Sequence, residues 1–259
     1  MQRRFINPFM SFVLALVLIS LACATSQPTP TNTPQPSSTV TAAPTNTPKP
    51  SATLRPTRTP NLALTQQMDE WSAETQKYLE LGYLPSGEGT LTKLRSYNEE
   101  SAQLGWYYSW PFGGYRATDF YLSGHFKWSS AYRSADLSGC GFIFAKQENG
   151  DHYAVFLDRS KVLFVQTEEY YSPIGPTRGT GRVNFGNPFD HSDEADFTLI
   201  VKGTHAYVLV DGELVGEYGL SQSKAIRGEL GFALLSGTNK DFGTRCEITN
   251  LHVWIPNGD

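Results

Sequence analysis

Two residue pairs, Asn149-Gly150 and Asp211-Gly212, each stand between short apolar runs, and they constrain this chain more than any other feature. Both members of such a pair tolerate positive φ, which a tight hairpin turn requires. Gly141–Ala145 leads through Gln147–Gly150 into His152–Leu157, and Ala206–Val210 leads through Asp211-Gly212 into Glu213–Tyr218. Asp119–Trp128 alternates, with Phe120, Leu122, Phe126 and Trp128 at even positions and a break at Gly124. Period two is the signature of a half-buried strand. Val162–Val165, Phe197–Val201, Glu229–Leu234 and Cys246–Trp254 add further runs. Many short antiparallel strands at this spacing predict an all-β fold, an antiparallel sandwich or jelly roll of two packed sheets.

The N-terminal quarter reads differently. Arg3 and Arg4 precede a nearly unbroken apolar run, Phe9–Leu21, which ends in Ala22-Cys23 before the composition turns polar. That order is the layout of a secretory signal. It is similar to a bacterial lipoprotein signal, in which residues 1–22 are removed and Cys23 carries lipid. Ser20 stands where such signals usually have Leu. A soluble secreted form and a retained helix are the alternatives, although the run is short for a membrane span. Residues 23–60 are rich in Pro and Thr. Proline removes donors and fixes φ, and apolar surface is too scarce to offset ordering, so a disordered, semi-extended stalk is expected.

Leu64, Met68, Trp71, Thr75, Tyr78 and Leu79 follow helical spacing, with Asn61 as cap and Gly82 and Pro85 as stops. An amphipathic helix over 61–82 is therefore expected. An isolated helix of this length is marginal in water, so it is expected to dock on its own domain. Residues 83–259 then form the sandwich, in line with the about 200 residues that remain beyond signal and stalk.

The net charge of −4 gives no basic footprint for nucleic acid. There are three cysteines. With Cys23 lipidated, Cys140 and Cys246 remain, and outside the cytoplasm such a pair reads as a disulfide. Neither has a Cys or His at zinc-ligand spacing.

The order of several landmarks resembles the concanavalin A-like lectin/glucanase superfamily in its laminin-G-like branch. The residues carrying it are Asp119-Phe120, Gly139–Phe144, Asn149–Tyr153, Phe197–Gly203, Val210–Gly212, Gly228–Phe232 and Ile248–Trp254. The resemblance implies a jelly roll whose members bind glycans or proteins or hydrolyse glycosides. It also implies that the strands bearing Cys140 and Cys246 can lie side by side.

Retaining glycosidases need two carboxyl groups about 5 Å apart. Laminarinase-like members of the superfamily draw both from one Glu-x-Asp-x-Glu or Glu-x-Asp-x-x-Glu strand. The nearest run here is Glu194-Ala195-Asp196-Phe197-Thr198-Leu199, which lacks the last acid and reads as a polar loop entering the Phe197 strand. Asp190, Asp193 and Asp196 are weak candidates for Ca²⁺; a solvated acidic loop is the preferred reading, and no cofactor is expected. The five histidines are scattered, and no nucleophile elbow, P-loop or dinucleotide fingerprint occurs.

Two ring-rich stretches remain. Trp106, Tyr108 and Trp110 crowd one segment with Tyr107, Phe112 and Tyr115, and Tyr170 and Tyr171 precede Arg178 and Arg182. Flat rings with a few polar groups suit sugar faces and hydroxyls. The sequence therefore reads as a cell-surface, lipid-anchored, non-catalytic binding module for glycan or another surface polymer. The alternatives are a protein–protein adhesion or sensor-associated domain and a divergent glycoside hydrolase.

Overall fold

A computed structural model describes residues 62–132, 137–168, 170–183, 192–221 and 227–259. The signal, the stalk, Cys23 and Asp190 lie outside the described residues. Helix α1 (Leu62–Glu80) comes first. Fourteen strands follow: β1 (Gly89–Lys93), β2 (Tyr97–Ser101), β3 (Trp106–Ala117), β4 (Phe120–Ser130), β5 (Gly139–Lys146), β6 (His152–Asp158), β7 (Val162–Thr167), β8 (Tyr171–Pro173), β9 (Arg178–Gly179), β10 (Ser192–Lys202), β11 (His205–Val210), β12 (Glu213–Gly219), β13 (Gly228–Ser236) and β14 (Thr244–Pro256).

They form two antiparallel sheets, the sandwich that the resemblance implied. One runs β1-β14-β4-β10-β11-β12-β9, with β2 also on β14; the other runs β3-β13-β5-β6-β7-β8. Alternation places Phe120, Leu122, Phe126, Phe142, Phe144, Phe197, Leu199 and Phe232 between the sheets, all fully buried. Asp211 (φ 50) and Gly212 (φ 76) form the expected hairpin turn. The Asn149-Gly150 hairpin is looser: the Gly150 N–H donates to the Gln147 carbonyl at 3.0 Å, and only Gly150 has positive φ.

Cys140 and Cys246 are bonded, with Cα atoms 6.0 Å apart. Their strands do not lie side by side. β5 and β14 belong to opposite sheets, so the bridge crosses the core and ties one sheet to the other. A closed loop of this length contributes about 4–5 kcal/mol in the chain-entropy account.

Helix α1 covers the outer face of the eight-stranded sheet. Trp71, Thr75 and Tyr78 are buried at helical spacing, while Leu64 stays exposed. Tyr78 packs with Leu84, Tyr121, Ile200, Leu209 and Trp254. A Schellman pair ends the helix: Gly82 N–H to Leu79 O and Tyr83 N–H to Tyr78 O, each at 3.0 Å, with Gly82 at φ 74.

Candidate functional site

The first ring-rich segment forms strand β3. β3 pairs with β13 at the edge of the six-stranded sheet, where Pro111 is tolerated and a register shift accommodates it. Period two then splits the rings. Trp110 and Phe112 turn toward the core, where Trp110 stacks on Phe232 at 4.5 Å and 6°. Tyr107 turns the other way, over an outer apolar layer of Ile143, Ala154, Phe156, Val165, Ala233 and Leu235.

There Tyr107 joins both ends of the sheet. Its ring meets Phe156 edge-on at 5.2 Å and Tyr171 of β8 at 5.8 Å. Its hydroxyl lies 2.6 Å from His152 Nε2 and 2.7 Å from Thr167 Oγ1. His152 Nδ1 sits 2.6 Å from the Gly150 carbonyl, so Nδ1 carries the hydrogen and Nε2 accepts. Tyr107 therefore donates to His152, and Thr167 donates to Tyr107. Every contact in this chain holds one hydrogen while the imidazole is neutral. Burial pushes His152 below its ordinary value, and pushes the Tyr107 and Tyr171 phenols up.

A cavity of about 260 Å³ opens beside this bridge, lined by Gln147, Asp151, His152, Gln166, Thr167 and Glu168. Ala145 also borders it at φ 55, a conformation costly for a residue with a Cβ. Gln147 holds that turn through Nε2, which donates to Ala145 O at 2.7 Å and Arg227 O at 2.9 Å. At the rim Tyr170 is 80% exposed and Tyr171 45%, and Tyr171 pairs with Thr167 across β7–β8. Rings beside amide and carboxyl groups provide stacking planes and hydroxyl partners together.

The structure thus brings the two ring-rich stretches into contact, through Tyr107. Trp106 lies 59% exposed with its ring 6.4 Å from that of Tyr107, and Tyr108 is 44% exposed with its hydroxyl on Gln103 at 2.7 Å. Trp110 belongs to the core. Arg178 is on β9, paired with β12 at the edge of the other sheet, and exposed Arg182 bridges to Lys161. Neither arginine is part of the six-stranded sheet. Tyr107, His152 and Thr167 were not marked as a unit by the sequence. The available sign was Tyr107's odd position in a run whose neighbouring rings, Trp106, Tyr108, Trp110 and Phe112, are even.

The acidic run is also a strand, because Ser192–Val201 of β10 pairs with Phe120–Ser129 of β4. Period two sends Asp193 to one face and Glu194 and Asp196 to the other, so the loop reading is corrected. Asp196 bonds His125 Nδ1 at 2.8 Å, and Glu194 faces Lys127 at 3.8 Å. Among the described residues no group of three His, Cys, Asp or Glu is placed to hold a metal ion.

No protein-family model and no curated protein sequence matches the chain. Solved structures do resemble it. The carbohydrate-binding module CBM66 from Bacillus subtilis is 13% identical, with TM-score 0.41, over 64% of this chain and 96% of that one. The catalytic domain of an endo-1,3-beta-glucanase (laminarinase) from Thermotoga petrophila is 10% identical, with TM-score 0.39, over 56% and 67%. A fructosyltransferase from A. japonicus is 16% identical, with TM-score 0.42, over 65% of this chain and only 26% of that one. Likenesses at this level transfer neither a ligand nor an activity.

Proposed function

We propose that this protein is an extracytoplasmic, lipid-anchored module that binds glycan without chemistry of its own, and that the outer rim of the six-stranded sheet is its binding face. One observation carries the reading: Tyr107 links the two ring-rich stretches beside a cavity lined by Gln147, Asp151, Gln166 and Glu168. A saccharide stacks on Tyr171 and gives its hydroxyl hydrogens to the carboxyl and amide oxygens. The disulfide supports an oxidising compartment. Lipidation at Cys23 and the stalk complete the proposal from sequence alone.

A hydrolase reading draws on a separate fact. Glu74, Asp196 and Asp211, from three different elements, line one cavity on the other sheet. All three already accept internal hydrogen bonds, and this favours binding over chemistry. A polysaccharide array probed with the full chain tests the proposal. Retention on a defined polysaccharide without release of reducing ends supports it. Retention on none, or reducing ends that disappear in Asp196→Asn, contradicts it.

A further inference from the structure

The cavity lined by those three carboxylates, about 310 Å³, lies where α1 meets the eight-stranded sheet, on the far side of the sandwich from the ring rim. Its lining chemistry is one-sided. Glu74 accepts the Tyr78 hydroxyl at 2.9 Å and the Tyr121 hydroxyl at 2.6 Å. Asp196 Oδ1 accepts His125 Nδ1–H at 2.8 Å, which leaves His125 Nε2 an acceptor in the neutral ring. Asp211 Oδ1 accepts the Asp196 amide at 2.9 Å, and that bond aims Asp211 from its turn. Asn250 enters from the irregular stretch of β14 between Thr249 and His252, at φ 53. No Lys or Arg lines the cavity. The nearby Lys93 ammonium donates to Gln67 at 2.6 Å and lies over the Trp71 ring.

Three carboxylates without a lining cation favour a positively charged, donor-rich ligand. Because no three acidic or imidazole groups of the described residues gather tightly enough for a metal ion, the acceptors are spread over a volume suited to a small organic molecule. We propose that this cavity binds an amino sugar, its ammonium group against Asp196 and Asp211 and its hydroxyls toward His125 and Asn250. The inference is independent of the ring rim, which is on the opposite face.

Glucosamine, glucose, methylammonium and glucuronate, titrated separately into the isotope-labelled full chain at neutral pH, where His125 keeps its acceptor, and followed by NMR, test it. Glucosamine is expected to give saturable shifts at His125, Asn250 and the Trp71 indole. Glucose and methylammonium are expected to bind at least about tenfold more weakly, and glucuronate not at all. Asp196→Asn is expected to weaken glucosamine about tenfold or more, the scale of one charge-assisted hydrogen bond. Asn250→Gly, which suits the positive φ, is expected to weaken it less while leaving the fold intact. The proposal is overturned by the absence of saturable shifts at these three residues. It is equally overturned if glucuronate or methylammonium matches glucosamine, or if Asp196→Asn binds like the parent. Tyr171→Ala is expected to leave this binding unchanged, so the ring rim and this cavity stand or fall separately.

Discussion

The two outer faces of the sandwich each carry a His–Tyr pair, and they wire it and close over it differently. On each, a histidine directs Nδ1 to the carbonyl two residues earlier: His152 to Gly150 at 2.6 Å and His252 to Asn250 at 2.8 Å. On each, Nε2 meets a tyrosine hydroxyl, Tyr107 at 2.6 Å and Tyr121 at 2.9 Å. The wiring differs. Tyr107 gives its hydrogen to His152 and accepts from the Thr167 hydroxyl of its own sheet, whereas Tyr121 gives its single hydrogen to the Glu74 carboxylate of α1. The helix seals its face: Trp71 stacks on His252 at 4.0 Å, and Tyr78 and Tyr121 are completely buried. The other face is roofed by a ring from its own edge strand, and Tyr170 and Tyr171 remain open to solvent. The pair is therefore covered where α1 packs over it, and lies beside an open cavity where nothing of α1 reaches it.

The largest effect should erase the distinction between the faces. Cys140→Ala with Cys246→Ala unties the two sheets, and chemical denaturation should show a loss of about 4–5 kcal/mol. Loss of much less would mean that the bridge does not hold the core. Trp71→Ala should separate the faces. Removing a buried tryptophan costs about 3–5 kcal/mol, and hydrogen exchange should show α1 losing protection while the β5–β7 amides keep theirs. Equal loss everywhere would contradict the distinction. Tyr107→Phe leaves His152 and Thr167 without their shared hydroxyl and should cost about 1–3 kcal/mol, felt in β6–β7 and not in α1.

Acidification should act on both faces and least strongly. Burial lowers the folded-state values of His152 and His252. The unfolded chain then binds those protons first. Stability is whole above the ordinary imidazole value of about 6.5 and declines as pH falls below it toward the folded-state values. Thermal midpoints across this range should fall for the parent and fall less for His152→Gln. A flat or rising profile would show that burial does not govern these rings.

Much of this was legible in the chain. Alternation and the Asp211-Gly212 turn specify strands and the sandwich because each local signal agrees with the global one. The helix and its Gly82 stop were readable for the same reason. The disulfide partners were readable from cysteine count, but their placement on opposite sheets was not, since strand order is a tertiary property. The Glu194–Asp196 run looked like a loop because its charges sit on a strand whose outer face pairs with His125 and Lys127. The ring segment was not readable as a strand, because Pro111 and Gly113-Gly114 interrupt it and only an edge strand tolerates them. Tyr107, His152 and Thr167 come from three strands whose meeting depends on how the sheet folds over itself, and no spacing reveals that. The meeting of Glu74, Asp196 and Asp211 was hidden for the same reason.

The central claim is that the open ring rim of the six-stranded sheet holds saccharide. Affinity electrophoresis of the full chain and of Tyr171→Ala through gels containing each polysaccharide of a panel tests it most directly. The account predicts that at least one polysaccharide retards the parent, and that the variant, with an unchanged melting temperature, loses about tenfold or more in affinity, the upper range for one stacked ring. Parent and variant retarded alike, or no retardation by any polysaccharide, would contradict it.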